Sequence, residues 1–350
     1  MLLLRQGFSR SGWRRSIAVR QFRQDPTTGR WVIIAPGRAH RPRRFGSSEE
    51  RAEAEPCPFC SGNEALTPPE IWAARAAESA ADGPGWRVRV VPNKYPALTE
   101  AEPAAGLTDN LYPSQAALGA HEVIIESPAH DVSLGTLSED QFSRVVLSYR
   151  QRLRELSRDA RWRYALLYKN QGDGAGATLE HVHSQLVAMP AVPQAPRQEL
   201  ERAKAYFQAT GECIYCVLIE RETGRPERVI FQDEHFLALC PFAARFAYET
   251  WLVPKNHLPA FADSPEGTVQ AFARSLKEIL KRIDAVLGDP PFNFFIHSMP
   301  IADGADKYYH WQLRILPQLA RAAGFEWGSG AHINSVAPEE AARVLRDGLR

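Results

Sequence analysis

His181-Val182-His183-Ser184-Gln185 follows directly on the small-residue run Gly172-Asp173-Gly174-Ala175-Gly176-Ala177. Two imidazoles and an amide beside a loop able to approach phosphate closely suit chemistry at phosphorus. The flanks, Arg163 to Tyr168 before and Leu186 to Met189 after, are rich in apolar and β-forming residues, so the motif is expected on a strand. A strand has period two, which would project His181, His183 and Gln185 from one face. An isolated His-x-His also describes a half-buried strand with satisfied histidines, so the rest of the chain must decide.

Four of the five cysteines form two CxxC pairs, Cys57/Cys60 and Cys213/Cys216, with Cys240 left over. Five cysteines are too few for a secreted disulfide scaffold of 350 residues; paired thiols read as metal ligands or as a redox couple. Each pair is followed by two histidines, giving the sets Cys57, Cys60, His130, His181 and Cys213, Cys216, His257, His310. Two thiolates and two imidazoles are the donors that tetrahedral Zn²⁺ prefers, and a site filled by four protein ligands is structural. Two structural zinc sites are therefore expected. If His181 is a ligand, His183 is left as the candidate nucleophile, because a neutral imidazole attacks phosphorus without a strong base and leaves readily afterwards. Gln185 can hydrogen-bond a phosphoryl oxygen as charge develops. In the second set His310-Trp311-Gln312 keeps the ligand but has glutamine at the nucleophile position, so one active half and one structural half are expected.

The elements repeat in the same order. After Cys57/Cys60 come strands at Trp86–Val91 and His121–Glu126, then His130, a helix opened by a capping box of Ser138 and Gln141, and the strand carrying His181. After Cys213/Cys216 come strands at Phe236–Leu239 and Thr250–Val253, then His257, a helix over roughly Pro265–Leu287, and strands at Phe292–Ile296 and His310–Leu316. His130 and His181 are 51 residues apart, His257 and His310 53. This predicts an α+β fold of two pseudo-duplicated domains, with antiparallel sheets and flanking helices. The expected division is a disordered leader over 1–20, a catalytic domain over 21–192 and a second domain without nucleophile over 193–350. Pro190 to Pro196, with three prolines, reads as the linker, and Glu199–Ala209 as a short helix beyond it. Near the N-terminus, Asp25 to Gly29 signals a hairpin turn before a strand at Arg30–Ala35, and Gly37 to Arg44 is a basic segment that could meet a phosphate or simply be solvated.

Lys and Arg total 42 against 41 for Asp and Glu, so nothing favours nucleic acid or acidic membranes as partners, and no apolar run is long enough to span a membrane. A cytoplasmic enzyme is expected. The first 24 residues hold six arginines and no acid until Asp25, which keeps organellar import open beside a disordered leader.

Together these residues resemble the galactose-1-phosphate uridylyltransferase family of the histidine-triad superfamily. The matching blocks run in order from Asp25-Pro-Thr-Thr-Gly-Arg-Trp-Val through Arg38-Ala-His-Arg-Pro, Cys57-Pro-Phe-Cys, Val91-Pro-Asn-Lys-Tyr-Pro-Ala-Leu and His181-Val-His-Ser-Gln to His310-Trp-Gln-Leu. The resemblance implies histidine-triad-like domains and a double displacement, in which His183 takes a nucleotidyl group from a nucleotide sugar, releases hexose 1-phosphate, and passes the group to a second sugar phosphate. It also implies substrate contacts from Arg38, Arg41, Asn93, Asn170 and the loop Gly176, Ala177, Thr178, and a homodimer. Better-known members carry His-Pro-His-Gly-Gln. The His-Val-His-Ser-Gln of this chain, with Gly324-Phe-Glu-Trp-Gly-Ser-Gly, resembles instead the branch containing plant ADP-glucose phosphorylase and thermophile transferases. The leading expectation is UDP-glucose:hexose-1-phosphate uridylyltransferase of galactose metabolism, with ADP-glucose phosphorylase close behind. A nucleotide hydrolase of the same superfamily is less favoured, because those enzymes resemble His-x-His-x-His and this chain has Gln185. A zinc-stabilised binding protein would leave His183 without a purpose.

Overall fold

The computed structural model describes residues 20–24, 26, 31–35, 56–100, 111–130, 132–301 and 304–349. Arg38, Arg41, residues 1–19 and most of the turn expected at Asp25–Gly29 lie outside the described residues.

The apolar and β-branched runs pair almost entirely with one another. Ten of them form one sheet: β3 (Trp72–Arg75), β4 (Trp86–Pro92), β6 (Ala120–Ile125), β7 (Tyr164–Gln171), β8 (His183–Met189), β9 (Val229–Gln232), β10 (Phe236–Leu239), β11 (Thr250–Pro254), β12 (Phe292–His297) and β13 (Gln312–Pro317). A small second sheet holds β1 (Gln21–Gln24), β2 (Trp31–Ile34) and β5 (Ser114–Ala116) in the order β2-β1-β5. Its β1–β2 ladder is the antiparallel pair expected on either side of the hairpin turn.

In the large sheet the order is β3-β4-β6-β8-β7-β12-β13-β11-β10-β9, with every ladder antiparallel. Read inward from each edge, both halves use the same sequence of positions, the last two strands exchanging places in each. The expected duplication is therefore built as one continuous sheet, joined where β7 pairs with β12 from Leu167 opposite Ile296 to Gln171 opposite Phe292.

One face of the sheet is covered by α1 (Glu139–Leu156) and α4 (Glu266–Leu287), which also pack on each other. Their buried residues recur at helical spacing, Phe142, Val145, Val146, Tyr149 and Leu153 in α1 and Val269, Phe272, Leu276, Ile279, Leu280 and Ile283 in α4. These stripes meet Ile124, Leu186, Leu252, Phe294 and Leu313 from both halves in a single core. Two further helices, α2 (Gln194–Thr210) and α3 (Ile214–Gly224), precede the strands of the second half; α5 (Gly324–Ser329) and α6 (Pro338–Asp347) end the chain. No helix among the described residues is long and apolar enough to cross a membrane.

Several expected boundaries move. The strand of the first motif begins at His183, and that of the second at Gln312, so His181 and His310 each lie in the approach to a strand instead of on its face. The linker ends at Pro193, and Pro196 sits in the first turn of α2, where the N–H that proline lacks has no helical partner to lose. The Ser138 hydroxyl does cap α1 by accepting from the Gln141 N–H at 3.2 Å, but the Gln141 side chain donates to the carbonyls of Arg87 and Glu126 instead of returning to the cap.

Trp311 is fully buried against Phe261, Phe272 and Phe236, with ring centroids at 4.9, 5.2 and 5.9 Å. Deleting so large a side chain leaves a cavity that this aromatic cluster can fill only in part. Trp311→Ala should lower stability by about 3–5 kcal/mol in denaturant titration, and a loss below about 1 kcal/mol would contradict this packing.

Candidate active site and metal centres

The structure brings the two proposed ligand sets together as two clusters, each able to hold a metal ion, with all four donor atoms of a set within 4.8 Å of one another. In both, one histidine lies just past the third strand of the half and the other just before its active-face strand. Cys57 and Cys60 come from a turn closed by the Cys60 N–H on the Cys57 carbonyl, at 3.3 Å, while Cys213 occupies the residue just before α3 and Cys216 lies in its first turn. Sγ of Cys60 is 3.4 Å from Nδ1 of His130 and 3.7 Å from Nδ1 of His181; Sγ of Cys216 is 3.3 and 3.8 Å from Nδ1 of His257 and His310.

Three of these imidazoles turn their other nitrogen to a main-chain carbonyl. Nε2 of His181 donates to Ser127 at 2.7 Å, that of His310 to Pro254 at 2.8 Å, and that of His257 to Asp306 at 2.6 Å. A carbonyl can only accept, so each of these bonds puts the proton on Nε2 and the lone pair on Nδ1, the nitrogen facing the thiols. Burial holds His181 down at about 4, which keeps it neutral at pH 7. The hydrogen bond from Cys216 favours the thiolate of Cys213 and lowers its pKa.

His183 is the first residue of β8 and is 5% exposed. Its Nδ1 donates to the carbonyl of His181 at 2.7 Å. In the neutral ring this assigns the lone pair to Nε2. Phe59 packs its ring against that of His183, centroids 5.4 Å apart. Together His183 and Gln185 line a cavity of about 420 Å³, whose other walls include Phe59, Leu66, Thr67, Asn93, Lys94 and Thr178.

Gln185 is held by residues on three other segments. Its Oε1 accepts from Asn93 Nδ2 at 3.3 Å, from the Tyr168 hydroxyl at 3.1 Å and from Nε2 of His121 at 3.0 Å. His121 can donate there because its Nδ1 accepts the Ala97 N–H at 3.0 Å. The amide oxygen is thus engaged on three sides, which directs the amide NH₂ as the donor of the side chain. His121 and Tyr168 were visible in the sequence only as strand residues. The register that sets Tyr168 opposite Gln185 and carries His121 toward it gave no local signal.

The remaining expected contacts fall as follows. Asn93 lines the cavity and is 8% exposed. Asn170 accepts from Asn293 at 2.8 Å, and Asn293 also donates to the carbonyl of Ala175, so Asn170 borders the glycine-rich loop. Gly176 adopts φ 81°, a left-handed conformation that suits glycine, and Ala177 is buried beside it. Thr178 lines the cavity with a buried hydroxyl that has no hydrogen-bond partner among the described residues.

In the second half Gln312 and Arg314 stand where His183 and Gln185 stand in the first. Here α2 fills the space: Glu199 accepts from Arg314 at 2.7 and 2.9 Å and from Nδ1 of His297 at 3.0 Å. Burial raises the Glu199 carboxyl, but His297 and Arg314 outweigh it and hold the group at about 2. Arg314 in turn lies 4.2 Å over the ring of Trp251.

Comparison with known proteins accords with this architecture. The family model for the N-terminal domain of galactose-1-phosphate uridyl transferase matches residues 12–193, and a model for a domain of unknown function matches 118–349. ADP-glucose phosphorylase of Arabidopsis thaliana is 35% identical, over 93% of this chain and 92% of its own. Galactose-1-phosphate uridylyltransferase of Thermotoga maritima is 27% identical over 93% and 98%. Among solved structures, the Arabidopsis ADP-glucose phosphorylase with bound ADP-glucose has a TM-score of 0.72 at 33% identity, covering 93% of this chain and 98% of that one; a uridylyltransferase has 0.78 at 28%, covering 94% and 98%. A matched model over more than half of the sequence, and a relative this similar over nearly all of it, make the chain an enzyme of the galactose-1-phosphate uridylyltransferase family.

Proposed function

We propose that the protein moves a nucleoside monophosphate between a nucleotide sugar and an acceptor phosphate through a nucleotidyl-histidine at His183. The observation that carries this reading is the His183 Nδ1 bond to the His181 carbonyl, which leaves the lone pair on Nε2 in a ring lining a cavity. In the first half-reaction Nε2 bonds to the α-phosphorus while the bond from that phosphorus to the bridging oxygen breaks, and the sugar leaves as its 1-phosphate. In the second, an acceptor phosphate oxygen bonds to phosphorus and the imidazole leaves with the P–N electron pair. Gln185 donates its amide to a non-bridging oxygen as charge grows there. The unpartnered Thr178 hydroxyl and the Asn93 amide are the substrate contacts that the described cavity supports, joined on this reading by Asn170, Gly176 and Ala177 from the loop and by Arg38 and Arg41.

For the nucleotide, we place adenylyl transfer from ADP-glucose ahead of uridylyl transfer, reversing the order expected from sequence. The support is the 35% identity to the Arabidopsis phosphorylase against 22–28% for the several uridylyltransferases compared. Uridylyl transfer stays as the second reading because the uridylyltransferase structure overlays with the higher TM-score. On either reading we take residues 21–192 as the catalytic half and 193–350 as the structural one; the family resemblance implies a homodimer, and a cytoplasmic location, with organellar import as the alternative, is the expectation from sequence.

Both clusters suit zinc. Tetrahedral bonds of about 2.3 Å to sulfur and about 2.0–2.1 Å to nitrogen put the two donors about 3.6 Å apart. The observed separations of 3.3 to 3.8 Å straddle that value. Zinc would supply a cross-link between distant segments and no reactive position, since four protein donors fill its coordination.

His183→Ala should abolish covalent labelling by a nucleotide sugar radiolabelled at the α-phosphorus, while metal content and melting temperature stay at wild-type levels. Retained labelling would reassign the nucleophile. Gln185→Ala should slow both half-reactions by about 10²-fold, as for loss of one oxyanion donor, with little change in substrate affinity. A variant weakened in affinity alone would contradict that role. Cys213→Ser or His257→Ala should lower zinc content and melting temperature and leave much of the residual activity, whereas His181→Ala should remove activity too, because it also displaces His183. Metal analysis that finds no zinc in protein prepared without chelator, with stability indifferent to Cys213→Ser, would refute the two-site assignment.

A further inference from the structure

Behind the strand that carries His183 lies a buried polar network that neither nucleotidyl transfer nor metal binding uses. Glu126 and Lys169 are 0% and 1% exposed and form an ion pair at 2.6 Å. Lys169 also donates to the main-chain carbonyl of His183 at 2.8 Å. The other oxygen of Glu126 accepts from the hydroxyls of Ser184 and of Tyr149 on α1, which lie 2.8 Å from each other. The backbone N–H of Glu126 donates to the carbonyl of Val182 at 3.2 Å. That last bond is a main-chain one independent of the side chain; the polar side chains grip the chain at His183 itself and at the residue after it.

The second half of the sheet serves as an internal control. With Gln312 in the place of His183, Leu313 takes that of Ser184, and Ile296, opposite Leu313 across the ladder, takes that of Lys169. The end of β11 corresponding to Glu126 is Val253–Pro254. All four residues are buried and apolar, and they build the same strand arrangement. The fold therefore has no need of the charges. An ion pair out of water carries a desolvation cost that apolar residues of similar volume avoid. In this molecule the polar version accompanies the half with an imidazole to aim.

We propose that Lys169, Glu126 and Ser184 are positioning residues that hold the His183 main chain, and through it the imidazole, in line with the α-phosphorus. None touches substrate. Lys169 acts through the His183 carbonyl, Ser184 through the next link of the chain, and Glu126 by holding both, and the inference rests on the nucleophile assignment made above.

The test uses the full chain and single-turnover labelling with ADP-glucose and UDP-glucose radiolabelled at the α-phosphorus. The double variant Glu126→Leu/Lys169→Met copies the apolar solution of the second half, and Ser184→Ala removes one contact with little change of volume. The double variant should label at least about 10-fold more slowly than wild type, and Ser184→Ala by a smaller factor, with half-saturating substrate within about twofold of wild type, since misplacement affects the rate more than binding. Metal content and the folded fraction should be unchanged. Wild-type labelling rates in both variants would overturn the proposal, as would a rate loss matched by lost metal or lost folded protein. Failure of the nucleophile assignment would look different: wild-type protein would fail to label, or His183→Ala would label normally.

Discussion

A single hydrogen bond, from Nδ1 of His183 to the carbonyl of His181, ties a cluster able to hold a metal ion to the residue proposed as nucleophile. His181 turns its own Nδ1 to the thiols of the first cluster and its Nε2 to Ser127. Its carbonyl is then fixed in space, and that carbonyl decides which nitrogen of His183 carries the proton. Two residues of sequence thus link a cluster able to hold a metal ion to a tautomer. This arrangement requires the chain to bend before β8, and the strand accordingly begins at His183.

Around that bond the two halves of one sheet have diverged in opposite senses. In the first half the open face is a cavity lined by His183 and Gln185, and the covered face holds a lysine and a glutamate with no exposure to speak of. In the second the covered face is apolar, and the open face is closed by Glu199, Arg314 and His297. Each half therefore buries charge on the side that the other leaves apolar or open. Buried ion pairs add little net stability over apolar packing, and the common frame is better explained by the helix stripes and sheet residues of the shared core.

The cavity itself mixes apolar walls with a few fixed polar groups, as small-molecule sites generally do. Phe59, Leu66 and Val91 supply surface, and Gln185 and Asn93 supply oriented amides. The oxygen of Gln185 is engaged by Asn93, Tyr168 and His121 at once, so the orientation of its NH₂ is settled before any substrate arrives. In the proposed reaction such preorganisation would avoid the cost of reorienting a donor as negative charge develops at phosphorus.

Much of this was legible in sequence wherever the signal is local or covalently spaced. The CxxC pairs and their following histidines named eight residues that the structure gathers in two fours, and helices α1 and α4 and most strand centres stand where the sequence placed them. Spacing sufficed because thiol pairs three positions apart, and apolar residues recurring every three or four, report on geometry the backbone imposes by itself. Tertiary structure alone decided the rest. His181 lies outside the strand, in a cluster drawn from three segments that sets it against Cys57 and Cys60. Tyr168 and His121 reach Gln185, and Lys169 and Glu126 meet beside Ser184, across strands whose order and register no single segment encodes. Register follows from how whole faces pack against α1 and α4, so the partners of a buried polar group are fixed only when the entire sheet is assembled.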